Sequence, residues 1–150
     1  MISLARRTAK KQNLCPPQVS FVQAALTEAL PIASDSVDCI LSNCVINLLP
    51  LSGKATLLKE LHRVLKPGGR LVLDDVRILS IPYGCQGLMF SNISQIIAKQ
   101  TLPADIRDDL LSYVGCVSGA IQLDEYKKLL TEAGFPGEGW LIYIFPIFSI

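Results

Sequence analysis

The sequence predicts one α/β domain in which helices cover a parallel β-sheet. A strand, a helix and a second strand follow one another between Val37 and Asp74, and the helix ends in a Pro-Gly-Gly turn. The chain has 150 residues, of which 50% are hydrophobic and 18% charged, and this composition is typical of a globular protein. We therefore treat residues 1–150 as a single domain.

The predicted elements begin with a short amphipathic helix over Ile2–Gln12, in a stretch with no helix breaker before Pro16. The β-rich run Val19–Gln23 predicts a strand. Val37–Ser42 predicts a second strand, and its nearly continuous apolar run indicates burial on both faces.

Three helices and one strand are predicted in the rest of the chain. Lys54–Leu65 carries apolar residues at helical spacing, and RLVLD over Arg70–Asp74 is the strand that follows it. Pro103–Tyr113 and Asp124–Ala133 also have helical patterns, the second ended by Gly134.

Charge and hydropathy give no sign of a nucleic-acid or membrane partner. The formal net charge is +1, and the basic residues of the first helix are expected to form a solvated face. No apolar run reaches the roughly 18 residues that cross a bilayer. The longest, Trp140–Ile150, is broken by Pro146.

The cysteines indicate a reducing compartment, so we expect a cytoplasmic protein. They are odd in number, form no CxxC pair, and follow no signal-peptide core at the amino terminus. The five are Cys15, Cys39, Cys44, Cys85 and Cys116.

Two stretches carry a resemblance to a known family. SVDCILSNCVINLLPLSGKATLLKELHRVLKPGGRLVL, which is Ser36–Leu73, resembles the middle of a class I S-adenosylmethionine-dependent methyltransferase, where the LKPGG turn is common. Within it, LSNCVINL over Leu41–Leu48 is narrower and resembles the arsenite methyltransferases. LPADIRDDLLSYVGCVSGA, which is Leu102–Ala120, resembles the same family and contains its second cysteine.

The resemblance implies a partial Rossmann-like methyltransferase fold and methyl transfer from S-adenosylmethionine to trivalent arsenic. It implies that Cys44 and Cys116 are the catalytic arsenic ligands, with a third cysteine supplied by a part of the protein outside this chain. It also implies two partners, namely trivalent arsenic or its thiol conjugates and a thiol reductant.

Thiolates suit this chemistry because trivalent arsenic is thiophilic and keeps one lone pair when three thiolates bind it. That lone pair can attack the sulfonium methyl group, so the protein mainly has to position the reactants. No proton leaves the arsenic. The lack of a convincing general base, with His62 the only histidine and most simply a surface residue, is compatible with the reaction.

The resemblance also implies contacts to S-adenosylmethionine. Leu26 and Thr27 match the positions that the family places against adenine, with Thr27 replacing a usual carboxylate. A threonine hydroxyl accepts a hydrogen bond more weakly than a carboxylate does. Asn43 matches the polar contact at the end of the next strand.

Parts of the family pattern do not occur in this sequence. The glycine-rich loop after the first strand of such folds and the acid after the second are not found before residue 1, so we expect the first two strands to be missing. Their loss exposes strand edges and removes buried apolar area. We therefore expect weak or no activity from this chain alone.

Two stretches do not fit the family pattern. Residues 76–95 interrupt it, since LVLDD joins IIAKQTLPADIRDD well when they are deleted, and residues 137–150 form an atypical apolar tail. We hypothesise that both are translated introns. A mature transcript that retains both stretches would contradict this hypothesis.

Other interpretations stay open. The chain could methylate another small molecule, could bind arsenic without catalysis, or could be a fragment with no folded state.

From its residue type alone Cys44 would be a buried core thiol. Cys15, Cys39 and Cys85 are taken as structural or incidental, with Cys39 inside a buried strand. Asp74 and Asp75 either face the site or are solvated.

Overall fold

The computed structural model describes residues 1–74, 91–95, 102–111, 117–136 and 140–144. These residues form an α/β arrangement of helices, one 3₁₀ turn and four strands, which confirms the predicted class. In chain order the elements are α1 (Ile2–Lys11), β1 (Val37–Asn43), the 3₁₀ turn (Ile46–Leu48), α2 (Leu51–Val64), β2 (Leu65–Asp74), β3 (Ser91–Gln95), α3 (Ala104–Arg107), α4 (Leu123–Glu132) and β4 (Trp140–Ile144).

The strands form one sheet in the order β1-β2-β3-β4, and every neighbouring pair is parallel. Parallel pairing requires connections that cross over the sheet, and α2 is the crossover between β1 and β2. The register aligns Asn43 with Asp74, so β1 and β2 end at the same edge of the sheet.

Helix α2 packs its predicted apolar stripe into the core. Leu57, Leu58, Leu61 and Val64 are each 6% exposed or less, and each buried aliphatic side chain contributes about 1.5–3 kcal/mol. The helix begins at Leu51, one turn earlier than predicted, because Pro50 has the fixed φ that suits the residue before a helix. Residues of α4 complete the core: Tyr126, Leu129 and Leu130, followed by Ala133 and Phe135.

The Pro-Gly-Gly turn lies inside the span of β2. Val37 pairs with Leu65 but Cys39 pairs with Arg70, so residues 66–69 form a bulge in the ladder. Gly68 lies within this bulge at φ +81°, a conformation that favours glycine. The strand predicted over Arg70–Asp74 is therefore the regular part of β2.

The predicted strand Val19–Gln23 is wrong. Its backbone is irregular, and Val22 is 65% exposed. Extended residues become a strand when their N–H and C=O groups meet a partner strand, and the described sheet pairs none of its four strands with this segment.

The strand over Val37–Ser42 is confirmed, but the prediction that it is buried on both faces is wrong. Leu41 is 77% exposed, and Cys39 is exposed rather than buried in a strand. Strand β1 lies at the edge of the described sheet, with β2 as its single described neighbour. Cys39 and Leu41 are two residues apart and so point to the same face of the sheet, and this face of β1 is the exposed one.

The remaining helices match the predictions to different degrees. Helix α1 ends one residue early, and α4 runs one residue ahead of its prediction at both ends. Of the predicted helix Pro103–Tyr113, α3 covers Ala104–Arg107, Leu110 and Leu111 are also helical, and residues 112–113 lie outside the described residues. Gly134 follows α4 at φ +101°, and its N–H donates to the Thr131 carbonyl at 3.0 Å, as expected for the residue that ends a helix.

The two atypical stretches each contribute one strand, β3 from 91–95 and β4 from 140–144. The prediction that 76–95 and 137–150 are inserted stays a prediction, since most of both ranges lies outside the described residues. Within the described part of the chain, every helix is too short or too polar to cross a membrane.

Candidate functional site

The candidate site begins where β1 ends. Asn43 is the last residue of β1, is exposed, and pairs with Asp74 of β2. Cys44 follows directly and is also exposed. The carboxyl ends of parallel strands form the ligand-binding edge of open α/β sheets, so both residues occupy an edge that can hold a substrate.

Cys44 has an unusual backbone. Its φ is +53°, in the left-handed region, where a side chain with a Cβ is disfavoured. The 3₁₀ turn begins two residues later and buries Ile46 completely and Asn47 to 1% exposure. The loop after β1 is therefore held at its far end by two buried residues, while Cys44 itself is exposed.

Cys116 lies outside the described residues, but the segment that follows it contacts the loop that follows Cys44. Gly119 packs so closely on Asn47 that a Cβ added to Gly119 would lie 1.6 Å from the Asn47 carbonyl oxygen. Gly119 comes three residues after Cys116, and Asn47 three residues after Cys44. The two cysteine-bearing segments therefore meet in the fold.

Leu26 and Thr27 lie beside α2. Leu26 is half-buried against the core, whereas Thr27 is exposed and its methyl carbon lies 3.1 Å from the position that a Cβ on Gly53 would take. No hydrogen bond among the described residues joins Thr27 to Asn43. The structure thus puts Leu26 and Thr27 in a turn beside α2, and Asn43 at the end of β1.

Two of the described residues have the side-chain chemistry that one end of S-adenosylmethionine would need. Leu26 offers an apolar surface and Thr27 an exposed hydroxyl, which suit an adenine ring and its amino group. On the other side of β1 the described part of the chain supplies no neighbouring strand, and Leu41 is left 77% exposed. These residues therefore cannot enclose the whole cofactor.

An ion pair that the sequence reasoning missed fixes the segment leading into β1. Arg63 donates hydrogen bonds to the carbonyls of Leu30 and Ile32 at 3.1 and 3.0 Å, and to Ser34 Oγ at 3.1 Å. Glu60 accepts from the Leu30 N–H at 2.8 Å and from Arg63 at 2.7 Å. This pair could have been predicted, because Glu60 and Arg63 are three residues apart in a predicted helix and side chains at this spacing are neighbours.

The pKa of Glu60 is lowered from 4.5 to about 2, first by the hydrogen bond from Arg63 and then by that from the Leu30 N–H. Since the folded pKa is depressed, the carboxylate stabilises the fold above pH 4.5, and this contribution is lost as the pH falls towards 2. We expect wild type to have a higher melting temperature than Glu60→Gln at neutral pH, and the difference to disappear near pH 2. Thermal unfolding across this range measures it.

The control for this prediction is Glu132→Gln, because Glu132 is exposed and its pair with Lys128 is 3.8 Å long. It should leave the melting temperature nearly unchanged at every pH. A Glu60→Gln difference that persists undiminished down to pH 2 would contradict the assignment.

A cavity of about 710 Å³, which no sequence pattern indicated, is bordered by Gly119 and Asn47. We call it the α2–α4 cavity. It is lined by Leu51 and Lys54 from the first turn of α2, Glu125 from the first turn of α4, Arg107 of α3, and Ser118.

Acid, histidine and cysteine side chains do not form a metal-binding cluster within the described ranges: no three of them lie close enough to hold one ion. The arsenic site expected from the resemblance would therefore need ligands besides Cys44 from residues beyond those described, and Cys116 is one of the residues expected there.

Comparison with known proteins gives a consistent picture. A family profile described as "Methyltransferase domain" matches residues 1–134. An arsenite methyltransferase of Halobacterium salinarum is 35% identical over 137 residues, which is 90% of this chain and 28% of that protein. An arsenite methyltransferase of Mus musculus is 30% identical over 79% of this chain and 26% of its own length.

A different methyltransferase also matches. The ubiquinone/menaquinone biosynthesis C-methyltransferase UbiE of a Marinomonas species is 46% identical over 73 residues, 49% of this chain and 28% of that protein. This chain thus spans about a quarter of the length of each relative described.

Proposed function

Because this chain belongs to the methyltransferase domain family, as a class I S-adenosylmethionine-dependent member, we propose that it is part of an arsenite methyltransferase. In this proposal S-adenosylmethionine supplies the methyl group, and trivalent arsenic is the substrate. Cys44 and Cys116 hold the arsenic as thiolates, while Leu26, Thr27 and Asn43 contact the cofactor.

One structural observation supports the arsenic-binding part of the proposal, which membership of the family does not by itself support. The contact between Gly119 and Asn47 joins the segment after Cys116 to the loop after Cys44. Two cysteines far apart in sequence need such a contact if they are to share one arsenic atom. The exposure of Cys44 at the carboxyl end of β1 supports the same conclusion, since a ligand must be reachable by its substrate.

Beyond holding the arsenic and the cofactor, methyl transfer requires little further chemistry from these residues. Thiolates hold arsenic in a pyramid and leave its lone pair directed at the methyl group, so orientation accounts for most of the rate. The Arg63–Glu60 pair contributes indirectly, because it fixes the backbone of Leu30–Ser34 between the residues proposed for adenine and β1.

The proposal is tested by calorimetric titration of the purified, reduced chain with S-adenosylmethionine, with and without arsenite. Saturable binding of both, followed by transfer of a labelled methyl group to arsenic, is the result expected of an active methyltransferase. Arsenite uptake without cofactor binding would support a second candidate, a fragment that binds arsenic without catalysis, which the uncovered face of β1 at Leu41 favours. Absence of arsenite binding would reject both.

A methyltransferase acting on carbon is a further candidate, favoured by the 46% identity to the UbiE protein over half of the chain. Such an enzyme would not need the thiol of Cys44. Cofactor binding that is unaffected by arsenite would favour this candidate.

A further inference from the structure

Positive charge is concentrated at the start of the chain. Residues 1–27 contain four cations and no carboxylate, and all four cations lie on α1. They are Arg6, Arg7, Lys10 and Lys11. Residues 28–150 contain the other ten cations and all thirteen carboxylates, so they carry a net charge of −3. The whole-chain charge of +1, which gave no sign of a membrane partner, therefore averages over two regions of opposite sign.

Helix α1 is held against the protein by one of its faces. Ile2, Ala5 and Ala9 follow one another at i, i+3 and i+7, which places them on the same side of the helix, and each is half-buried. Beside this face, Arg6 donates a hydrogen bond to the Phe21 carbonyl at 2.8 Å. The opposite side of α1 therefore faces solvent.

The side of α1 that faces solvent combines an aliphatic side chain with cations. Leu4, Arg7 and Lys11 share this side at the same i, i+3, i+7 spacing, and all three are exposed, Leu4 to 56%. Lys10 borders them and is exposed as well. We call these four residues the α1 outer face. Among the described residues, none of its cations forms an ion pair with a carboxylate.

This combination fits the surface of an anionic membrane. A helix with several cations on its exposed side attracts anionic phospholipids, and an aliphatic side chain among the cations can enter the boundary between the headgroups and the acyl chains. Sites for single-stranded nucleic acid, in contrast, stack bases on aromatic side chains. Residues 1–20 contain no aromatic side chain, so lipid is the better match.

We propose that the α1 outer face binds the surface of an anionic phospholipid membrane. Arg7, Lys10 and Lys11 contact the lipid phosphate groups, and Leu4 enters the outer end of the acyl layer. This inference goes beyond the proposed methyl transfer and uses none of the residues assigned to it, so either can fail without the other.

Co-sedimentation of the whole chain with vesicles tests the proposal. The chain should bind vesicles of phosphatidylcholine that contain about 30% phosphatidylserine, and should bind vesicles of phosphatidylcholine alone at least about tenfold more weakly. Binding to the anionic vesicles should also weaken about tenfold or more between about 0.05 M and about 0.5 M NaCl, because salt screens exposed charges.

Variants of α1 locate the binding surface. Each cation near an anionic surface strengthens binding about fivefold, so the double variant Arg7→Gln/Lys11→Gln should bind anionic vesicles at least about tenfold more weakly. Glutamine forms helices nearly as well as arginine and lysine, and both positions are exposed, so the fold should be kept. Leu4→Ala should weaken binding several-fold, since less apolar surface enters the lipid.

The matched control is Lys127→Gln/Lys128→Gln on α4. Both lysines are exposed, and their loss changes the net charge of the chain by the same amount. This variant should bind anionic vesicles within about twofold of wild type, because its charges lie outside the α1 outer face. Thermal unfolding checks that each variant is folded.

Three outcomes would overturn the proposal. The first is equal binding to vesicles with and without phosphatidylserine, or no binding to either at low salt. The second is equal weakening by the α1 and α4 double variants, because overall charge would then explain the binding. The third is release of the chain from anionic vesicles by duplex DNA at an equal phosphate concentration, because the surface would then prefer nucleic acid.

Discussion

Replacing Cys44 with serine is expected to weaken arsenite binding by about a hundredfold or more, because the soft thiolate ligand is exchanged for a hard, protonated hydroxyl. Serine has nearly the same size and Cys44 is exposed, so the fold should be unaffected. Calorimetric titration of the reduced chain with arsenite measures the affinity, and thermal unfolding checks that the variant is folded.

Cys39→Ser is the matched control for this experiment. Cys39 is also exposed and lies five residues earlier on β1, but it has no part in the proposed ligand set. Its replacement should leave arsenite affinity within about twofold. If Cys39→Ser and Cys44→Ser weakened binding equally, the arsenic would be held by surface thiols without a defined site, and the assignment of Cys44 would fail.

Replacing Gly119 with alanine should destabilise the protein by about 3 kcal/mol or more, because overpacking of a buried contact forces the backbone to move. The added Cβ would lie 1.6 Å from the Asn47 carbonyl oxygen and 2.7 Å from its carbonyl carbon. Both are backbone atoms of a residue that is 1% exposed, so neither can swing aside. Urea unfolding followed by circular dichroism measures the loss.

Gly53→Ala gives the matched comparison. A Cβ on Gly53 would meet the methyl carbon of Thr27 at 3.1 Å and a ring carbon of Pro50 at 3.3 Å, and Thr27 is exposed and can shift slightly. Alanine also favours the helix by about 0.5–1 kcal/mol over glycine. The stability of Gly53→Ala should therefore stay within about 1 kcal/mol of wild type.

A Gly119→Ala protein of wild-type stability would mean that the two cysteine-bearing segments are not in contact.

Much of the fold could be predicted because α2 and β2 carry local signals. The apolar stripe from Leu57 to Val64 has the helical period and packs on the sheet, as periodicity requires. Gly134 ends α4 in the left-handed conformation that few other residues adopt. Asn43 and Cys44 were placed at the end of a parallel strand from the same pattern, and both are there.

Burial and pairing could not be predicted, since they depend on neighbours distant in sequence. The apolar run in β1 indicated a strand buried on both faces, but the described sheet covers one side and leaves Leu41 exposed. Val19–Gln23 has a strand-like composition but no described partner strand. The hydrophobic pattern of a segment shows which side chains it could bury. Whether they are buried depends on the elements that pack against the segment in the fold.

The sequence by itself determined the α/β class, the helices and two of the four described strands, and, through the LSNCVINL and GCVSGA segments, the family and the cysteines to test. The tertiary structure alone decided that the loop after Cys44 and the segment after Cys116 meet, through Gly119 and Asn47. It alone formed the α2–α4 cavity from Lys54, Arg107 and Ser118. The physical reason is that secondary structure follows local periodicity and backbone preference, while sites are built from contacts between segments far apart in the chain.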